Sequence, residues 1–175
     1  FYLIRHGQCT HDVEGRFGGW VNDELTPKGR LQSKEVAEQL SNLEIQKIFS
    51  SSLRRAKQTA EILQKNFKCK LEFSDNLREA NYYGVISGLT RKEADEKFPG
   101  QASLIKNHLS ELQGAEKYSA FKTRVLKELE KIFDSGLEKV AIVSHSGPIR
   151  VFFREILNNN NVKISDCGFF ELQKT

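Results

Sequence analysis

The run Val140-Ala141-Ile142-Val143, closing on Ser144-His145-Ser146-Gly147-Pro148, constrains this chain more than any other stretch. Four consecutive apolar residues without polar alternation predict a strand covered on both faces, and such strands belong to parallel sheets flanked by helices. Lys139 to Ser144 therefore reads as an inner strand, with the polar residues after it at its carboxyl end. Ligands of open α/β sheets gather in the crevice outside those ends. A second junction of this kind opens the chain, where the apolar Phe1 to Ile4 stops at Arg5-His6-Gly7. A cation beside an imidazole at a strand end suggests phosphate chemistry. Taken alone, Arg-His-Gly would suit an ordinary polar turn better, so the rest of the chain decides.

Between these junctions, strands alternate with helices. A loop of about twenty residues runs from Gln8 to Leu25 and carries Gly15, Gly18, Gly19, Phe17 and Trp20; structureless loops of roughly that length are uncommon in compact domains and often functional. Thr26-Pro27 opens a helix, Thr as N-cap and Pro at the first helical position, with Val36, Ala37, Leu40 and Leu43 on its buried face. Ile45 to Phe49 is a second strand, after which Ser51 or Ser52 caps a helix striped with Leu53, Ala56, Ala60, Leu63 and Phe67. Cys69 to Phe73 is a third strand. The polar passage Asn76 to Leu89 and a short helix, opened by the capping box Thr90-x-x-Glu93 and stopped by Pro99-Gly100, read as an insertion over the sheet edge. A long helix from about Glu116 to Phe133 buries Tyr118, Phe121, Val125, Leu129 and Ile132, and the helix after His145 carries Ile149, Phe152, Phe153, Ile156 and Leu157. A polar turn follows at Asn158 to Asn161, and a last strand lies within Val162 to Leu172. The pattern predicts one domain over residues 1–175, a three-layer α/β/α sandwich with a mostly parallel central sheet.

Composition excludes several classes. A net charge of +4 is spread along the chain, without the basic blocks and interleaved aromatics of a nucleic-acid footprint. No apolar run approaches the roughly 18 residues of a membrane helix, so neither nucleic acid nor membrane is expected as a partner. Cys9, Cys69 and Cys167 are odd in number and widely spaced, which argues against a disulfide framework and for a reducing, cytoplasmic setting. With no Met in the chain and no basic and apolar leader at its start, an initiator and a few residues are expected ahead of Phe1, and no targeting signal is expected. Oligomeric state is not encoded in any motif.

Parallel strands bring His6 and His145 to the same sheet edge. Arg55 falls in the first turn of its helix, where a cation opposes the helix dipole unless an anion is near. Helical spacing sets Arg55 beside the apolar stripe, able to reach a pocket, and Arg54 toward solvent. Arg5-His6-Gly7, Gly15-Arg16-Phe17-Gly18-Gly19-Trp20 with Leu25-Thr26 and Gly29, Ser51-Ser52-Leu53-Arg54-Arg55-Ala56 with Gln58-Thr59-Ala60, a degraded Gly114-Ala115-Glu116 block with Phe121 and Arg124, and Val143-Ser144-His145-Ser146-Gly147 follow one another in order. Together they resemble the histidine phosphatase superfamily, phosphoglycerate mutase-like branch, over nearly the whole chain.

That resemblance implies a phosphoglycerate mutase-like fold and a phosphatase that hydrolyses a small phosphorylated metabolite through a phosphohistidine. Neutral His6 would attack phosphorus through one ring nitrogen while the other is fixed by a hydrogen bond. Arg5 and Arg55 would hold the phosphoryl oxygens, with His145 completing the cradle and Ser146 and Gly147 adding helix N-terminal N–H groups. Gly18 and Gly19 would border the substrate. Fixed positive charge of this kind stands where other enzymes use magnesium, so no metal and no cofactor are expected. The leaving alkoxide needs a proton, and Glu79 in Leu77-Arg78-Glu79 is the expected donor. Glu79 lies five residues before Gly84 where the family commonly has four, and Asp12 stands where the family commonly has Asn. An ionised Asp12 would repel phosphate, so Asp12 is expected to be protonated, turned away, or itself the donor.

Mutase-type phosphoryl transfer would need lid segments and a longer tail to shelter the phosphohistidine, and a phosphate-ester binding module that has lost turnover would fit Asp12 and the shifted Glu79. Histidine acid phosphatases of the phytase type place Asp where this chain has Ser146. Cys9 is a bystander, since six residues rather than five separate it from Arg16. His6, Cys9, His11 and His145 could be drawn as a zinc site, but their spacing matches no standard one. His11 and His108 are expected on polar surface, Glu116 either beside the pocket or as a helix N-terminal carboxylate, and Trp20, Tyr82 or Tyr83 at the substrate rim or as loop anchors.

Overall fold

The computed structural model describes residues 1–105 and 112–173; His108 lies outside them. The strands are β1 (Tyr2–Arg5), β2 (Lys47–Ser51), β3 (Lys70–Ser74), β4 (Val140–Ser144) and β5 (Phe169–Glu171). They form one sheet in the order β3-β2-β4-β1-β5. Every pairing is parallel except the last, β1 with β5. The helices are α1 (Thr10–Glu14), α2 (Pro27–Gln39), α3 (Arg54–Phe67), α4 (Arg91–Lys97), α5 (Gln101–Leu104), α6 (Tyr118–Phe133) and α7 (Ser146–Leu157).

Alternation along the strands divides the core into two faces. Leu3, Phe49, Val140 and Ile142 pack with Phe121, Val125 and Leu129 of α6 and Ile149 and Phe152 of α7. Tyr2, Ile4, Ile48, Ala141 and Val143 pack with Val36 and Ala37 of α2 and Ala56, Ala60 and Leu63 of α3. The result is the three-layer α/β/α arrangement expected from the apolar β4 run, all five of whose residues are buried. Among the described residues no helix is long and apolar enough to cross a membrane.

Local details depart from the expected boundaries. The Gln8 to Leu25 loop contains α1, whose N-cap Cys9 and third residue Asp12 are joined by a hydrogen bond from Cys9 N–H to Asp12 Oδ2 of 3.1 Å. Ser51 does not cap α3 from outside the sheet. It is the last residue of β2, Leu53 is the N-cap, and the Leu53 N–H donates to Ser51 Oγ at 3.3 Å. Ile156 and Leu157 continue the stripe of α7 but are 56% and 49% exposed, because helical period selects a face and not the extent of the surface that meets it. Thr26 and Thr90 cap α2 and α4 as their sequences predict.

The middle passage covers the loop after β1 rather than the sheet edge. Phe17 N–H donates to Leu89 O at 2.9 Å and Gly88 N–H to Phe17 O at 2.7 Å. A third apolar cluster of Ile86, Ala94, Ala102 and Leu112 takes Phe17 and Tyr83 against it. Two 3₁₀ turns, Asp75–Leu77 and Gly84–Ile86, carry the intervening chain past the carboxyl ends of the strands.

Candidate active site

The strand register places the two histidines. Arg5 pairs with Ser144 across β1 and β4, so His6 and His145 emerge side by side, and His6 N–H donates to Ser144 O at 3.0 Å. Their ring centroids are 4.9 Å apart. Both are almost wholly buried. His6 Nδ1–H donates to the Gly7 carbonyl at 2.7 Å, which leaves the lone pair on Nε2, and Arg55 Nε donates to that nitrogen at 3.1 Å. Burial first, and the Arg55 guanidinium second, hold His6 well below the ordinary imidazole value; the same two causes act on His145. Both rings are therefore neutral at pH 7.

Arg55, 1% exposed, rises from the first turn of α3 into the floor of the site. Besides His6 it donates through Nη1 to Val21 O and Asp23 Oδ1, at 2.8 and 3.1 Å, and through Nη2 to Gly19 O at 2.9 Å. Four of the five guanidinium donors are thus committed. Arg54 is exposed and ion-paired to Glu24. Arg5 donates through Nη1 to Ile164 O and pairs through Nη2 with Asp166, each at 3.0 Å. Among the described residues, the buried side-chain polar atoms without a hydrogen-bond partner are Arg5 Nε and His145 Nδ1. Both belong to residues beside His6. Unsatisfied buried groups are rare enough in native proteins to call for a reason.

A cleft of about 510 Å³ lies over this floor and is lined by Arg5, Arg16, Arg55, Arg150 and Arg154, with His6, Gly18, Gly19 and Ser146. Glu79 stands on its wall, where Oε2 accepts from Gly147 N–H at 3.0 Å and from Ser146 Oγ at 3.3 Å, and Oε1 accepts from Ala80 N–H at 2.9 Å. Of the helix N-terminal N–H groups expected for a ligand, that of Gly147 is thus held by Glu79. Asp12 also borders the cleft but is turned to its own helix, its Oδ2 accepting from the Cys9 N–H and, at 2.9 Å, from the Cys9 thiol. Burial, with Asp12 and Asp23 nearby, pushes that thiol far up, so Cys9 stays protonated.

Further residues hold these groups in place. Asp23 holds Arg55 by one oxygen and, by the other, accepts from His11 N–H at 3.0 Å and Nδ1 at 2.7 Å. Burial opposes its charge, yet these hydrogen bonds and Arg55 hold the carboxyl well below the usual carboxylate range. Ser51 Oγ lies 2.8 Å from His145 Nε2, and Thr59 Oγ1 accepts from Gly7 N–H at 3.2 Å. Arg124 donates to the carbonyls of Asn76, Arg78 and Glu79 and pairs with Glu116 at 2.7 Å, which assigns Glu116 to holding the Glu79 segment. Trp20 Nε1 donates to Glu79 O at 2.7 Å, anchoring its loop there, while Tyr82 and Tyr83 line the cleft. Arg150 and Arg154 could have been found, since they repeat every four residues from Ser146 and so share its helical face. Among the described residues, the group spaced so that it could hold a metal ion is Cys9, His11 and Asp23, with their ligand atoms within 4.8 Å of one another, and it does not include His6 or His145.

The sequence profile of the histidine phosphatase superfamily (branch 1) matches residues 1–171. A metal-independent phosphoserine phosphatase of Arabidopsis thaliana is 32% identical, aligned over 88% of this chain and 67% of its own length. Phosphoserine phosphatase 1 of Hydrogenobacter thermophilus is 28% identical over 95% of this chain and 80% of its own. Among solved structures, the mycobacterial glucosyl-3-phosphoglycerate phosphatase complexed with VO3 superposes with a TM-score of 0.80, at 25% identity, covering 97% of this chain and 88% of that one.

Proposed function

Because this chain belongs to the histidine phosphatase superfamily (branch 1), we propose that it hydrolyses small phosphomonoesters by way of a phosphohistidine on His6. The observation that carries the reading is the state of that ring: Nδ1 is committed to Gly7, Nε2 keeps its lone pair, and the ring lies on the floor of an arginine-lined cleft. A phosphoryl group entering the cleft replaces the Arg55 N–H on Nε2. That N–H, with the unpartnered Arg5 Nε and His145 Nδ1, supplies donors for the phosphoryl oxygens. As the Nε2–P bond forms, the P–O bond to the leaving group breaks and the alkoxide takes a proton from the Glu79 carboxyl. Water then attacks phosphorus, Glu79 takes back a proton, and the N–P bond breaks to release inorganic phosphate. Fixed guanidinium charge performs the stabilisation for which other phosphoryl-transfer enzymes recruit magnesium, so turnover is metal-independent.

Arg150 at the cleft, flanked by Arg16 and Arg154, which are ion-paired to Glu14 and Glu93 and to Glu155, favours an ester with a second anionic group, and the relatives' phosphoserine is a compound of that kind. The free thiols of Cys9, Cys69 and Cys167 support a reducing, cytoplasmic setting.

The test compares wild type with His6→Ala on nitrophenyl phosphate and on phosphoserine, with and without a chelator, by phosphate release. Loss of roughly 10³-fold or more in the variant, unaffected by chelator in the wild type, is expected for removal of a nucleophile. Undiminished hydrolysis in His6→Ala would sink the reading, as would isomerisation of 3-phosphoglycerate outpacing phosphate release when a bisphosphoglycerate primer is offered. Glu79→Gln should lose about 10²-fold or more on phosphoserine yet little on nitrophenyl phosphate, whose leaving group needs no proton.

A further inference from the structure

The wall of the cleft holds a second set of chemically capable side chains. Cys9 Sγ lies 3.3 Å from His11 Nδ1, and His11 Nδ1 lies 2.7 Å from Asp23 Oδ2. These three side chains come from two chain segments locked by backbone pairing. Cys9 bridges Leu25, and Thr10 N–H donates to Glu24 O at 3.0 Å. His11 and Asp12 face the cleft, which gives an ion a path in. We propose that Cys9, His11 and Asp23 form a binding site for a zinc-type divalent cation, and that its occupation switches the phosphatase off.

Thiolate, imidazole and carboxylate together suit a borderline-soft, tetrahedral ion, and around zinc such ligand atoms stand about 3.3–3.6 Å apart. The sulfur–nitrogen distance already falls there; the nitrogen–oxygen pair must open by less than about 1 Å. The Cys9 thiol loses its proton to solvent as the metal–sulfur bond forms, and the His11 proton moves from Nδ1 to Nε2, so one proton is released per ion. Asp12 Oδ1, 3.4 Å from His11 Nε2, then receives that N–H, the carboxylate–histidine support common at zinc sites.

Inhibition follows from Asp23. Its Oδ1 is the carboxylate partner of Arg55 Nη1 at 3.1 Å. A dication on Oδ2 draws that negative charge away and adds like charge close to Arg55, loosening the guanidinium that lies on His6 Nε2.

The binding arm is a titration of the purified protein with Co²⁺, read by thiolate-to-cobalt charge-transfer absorbance, with Zn²⁺ competing it away. It is independent of the hydrolytic reading above, on which only the inhibition arm rests. Wild type and Cys69→Ser should give a band saturating at one ion per chain. Cys9→Ser, with its fold checked by circular dichroism, should lose the band and bind zinc at least about 10-fold more weakly, as should His11→Gln. In the hydrolysis assay, zinc should inhibit wild type reversibly, with chelator restoring activity, and inhibit Cys9→Ser at correspondingly higher concentration. A band that survives in Cys9→Ser overturns the site. Equal zinc sensitivity of wild type and Cys9→Ser places inhibition at other groups, such as His6 and His145, and overturns the switch.

Discussion

Asp23 ties together what His6 needs. It fixes Arg55, which in turn donates to His6 Nε2, and it fixes the His11 ring against Gly18, where a Cβ would approach His11 Nε2 to 2.7 Å. Asp23→Asn keeps the shape and removes the charge from a buried pair, a change that costs about 3 kcal/mol when one partner is left uncompensated. The expected outcome is a lower denaturation midpoint with kcat reduced more than KM is raised, because Arg55 keeps its place through Val21 and Gly19 but loses its alignment on His6. Glu79 can be tested without touching it. A Cβ on Gly147 would overlap the Glu79 carboxyl, whose flexible side chain can retreat. Gly147→Ala should therefore cost about 1 kcal/mol or less in stability, while hydrolysis of phosphoserine falls about 10²-fold and that of nitrophenyl phosphate far less. Equal losses on both esters would remove Glu79 from the proton-transfer role. At this scale the sequence was legible for residues whose chemistry is distinctive, His6, His145, Arg5 and Arg55. It was silent on Asp23, and it named Ser51 and Thr59 without the partners they meet, ordinary polar residues given purpose by what lies across a loop or strand.

Elements were legible in type and less so in extent. The apolar run of β4, the Thr26-Pro27 start of α2 and the Thr90 capping box of α4 each rest on local stereochemistry, and each stands where expected. The burial of the last turn of α7 and the start of α3 depend instead on neighbours, and there the expectations moved. One contact between elements is unusually close. A Cβ on Gly29, in the first turn of α2, would overlap the Gln8 carbonyl, and one on Gly7 would overlap the Gly29 carbonyl. Backbone cannot retreat as a side chain can. Gly29→Ala should lower stability by about 1–3 kcal/mol, the usual cost of overpacking, and displace Gly7, whose carbonyl sets the His6 tautomer. Thermal unfolding and kcat should fall together; an alanine variant with wild-type activity would show that α2 does not position the loop that carries His6.

For the molecule as a whole, the two buried histidines set the response to acid. Their imidazoles bind protons far less readily folded than unfolded, so below their ordinary value of 6.5 the unfolded chain holds the extra protons. Stability is therefore full above pH 6.5 and declines as pH falls, by up to about 1.4 kcal/mol per pH unit for each histidine. Asp23 acts in the opposite sense and lower down. Its depressed carboxyl contributes stability that is complete above the ordinary 3.8 and lost only in stronger acid. Urea unfolding from pH 7.5 to 5 should show the decline, and His145→Gln should roughly halve its slope; an unchanged slope would mean His145 does not charge on unfolding. What the sequence determined by itself was the α/β class, the strand-end placement of both histidines and the type of chemistry, because apolar period, capping and residue identity are written locally. Tertiary structure alone decided which nitrogen of His6 carries the lone pair, that Glu79 rather than a ligand holds the start of α7, and that Cys9, His11 and Asp23 meet. Those outcomes rest on distances between segments far apart in the chain, and only the packing of helices onto the sheet sets such distances.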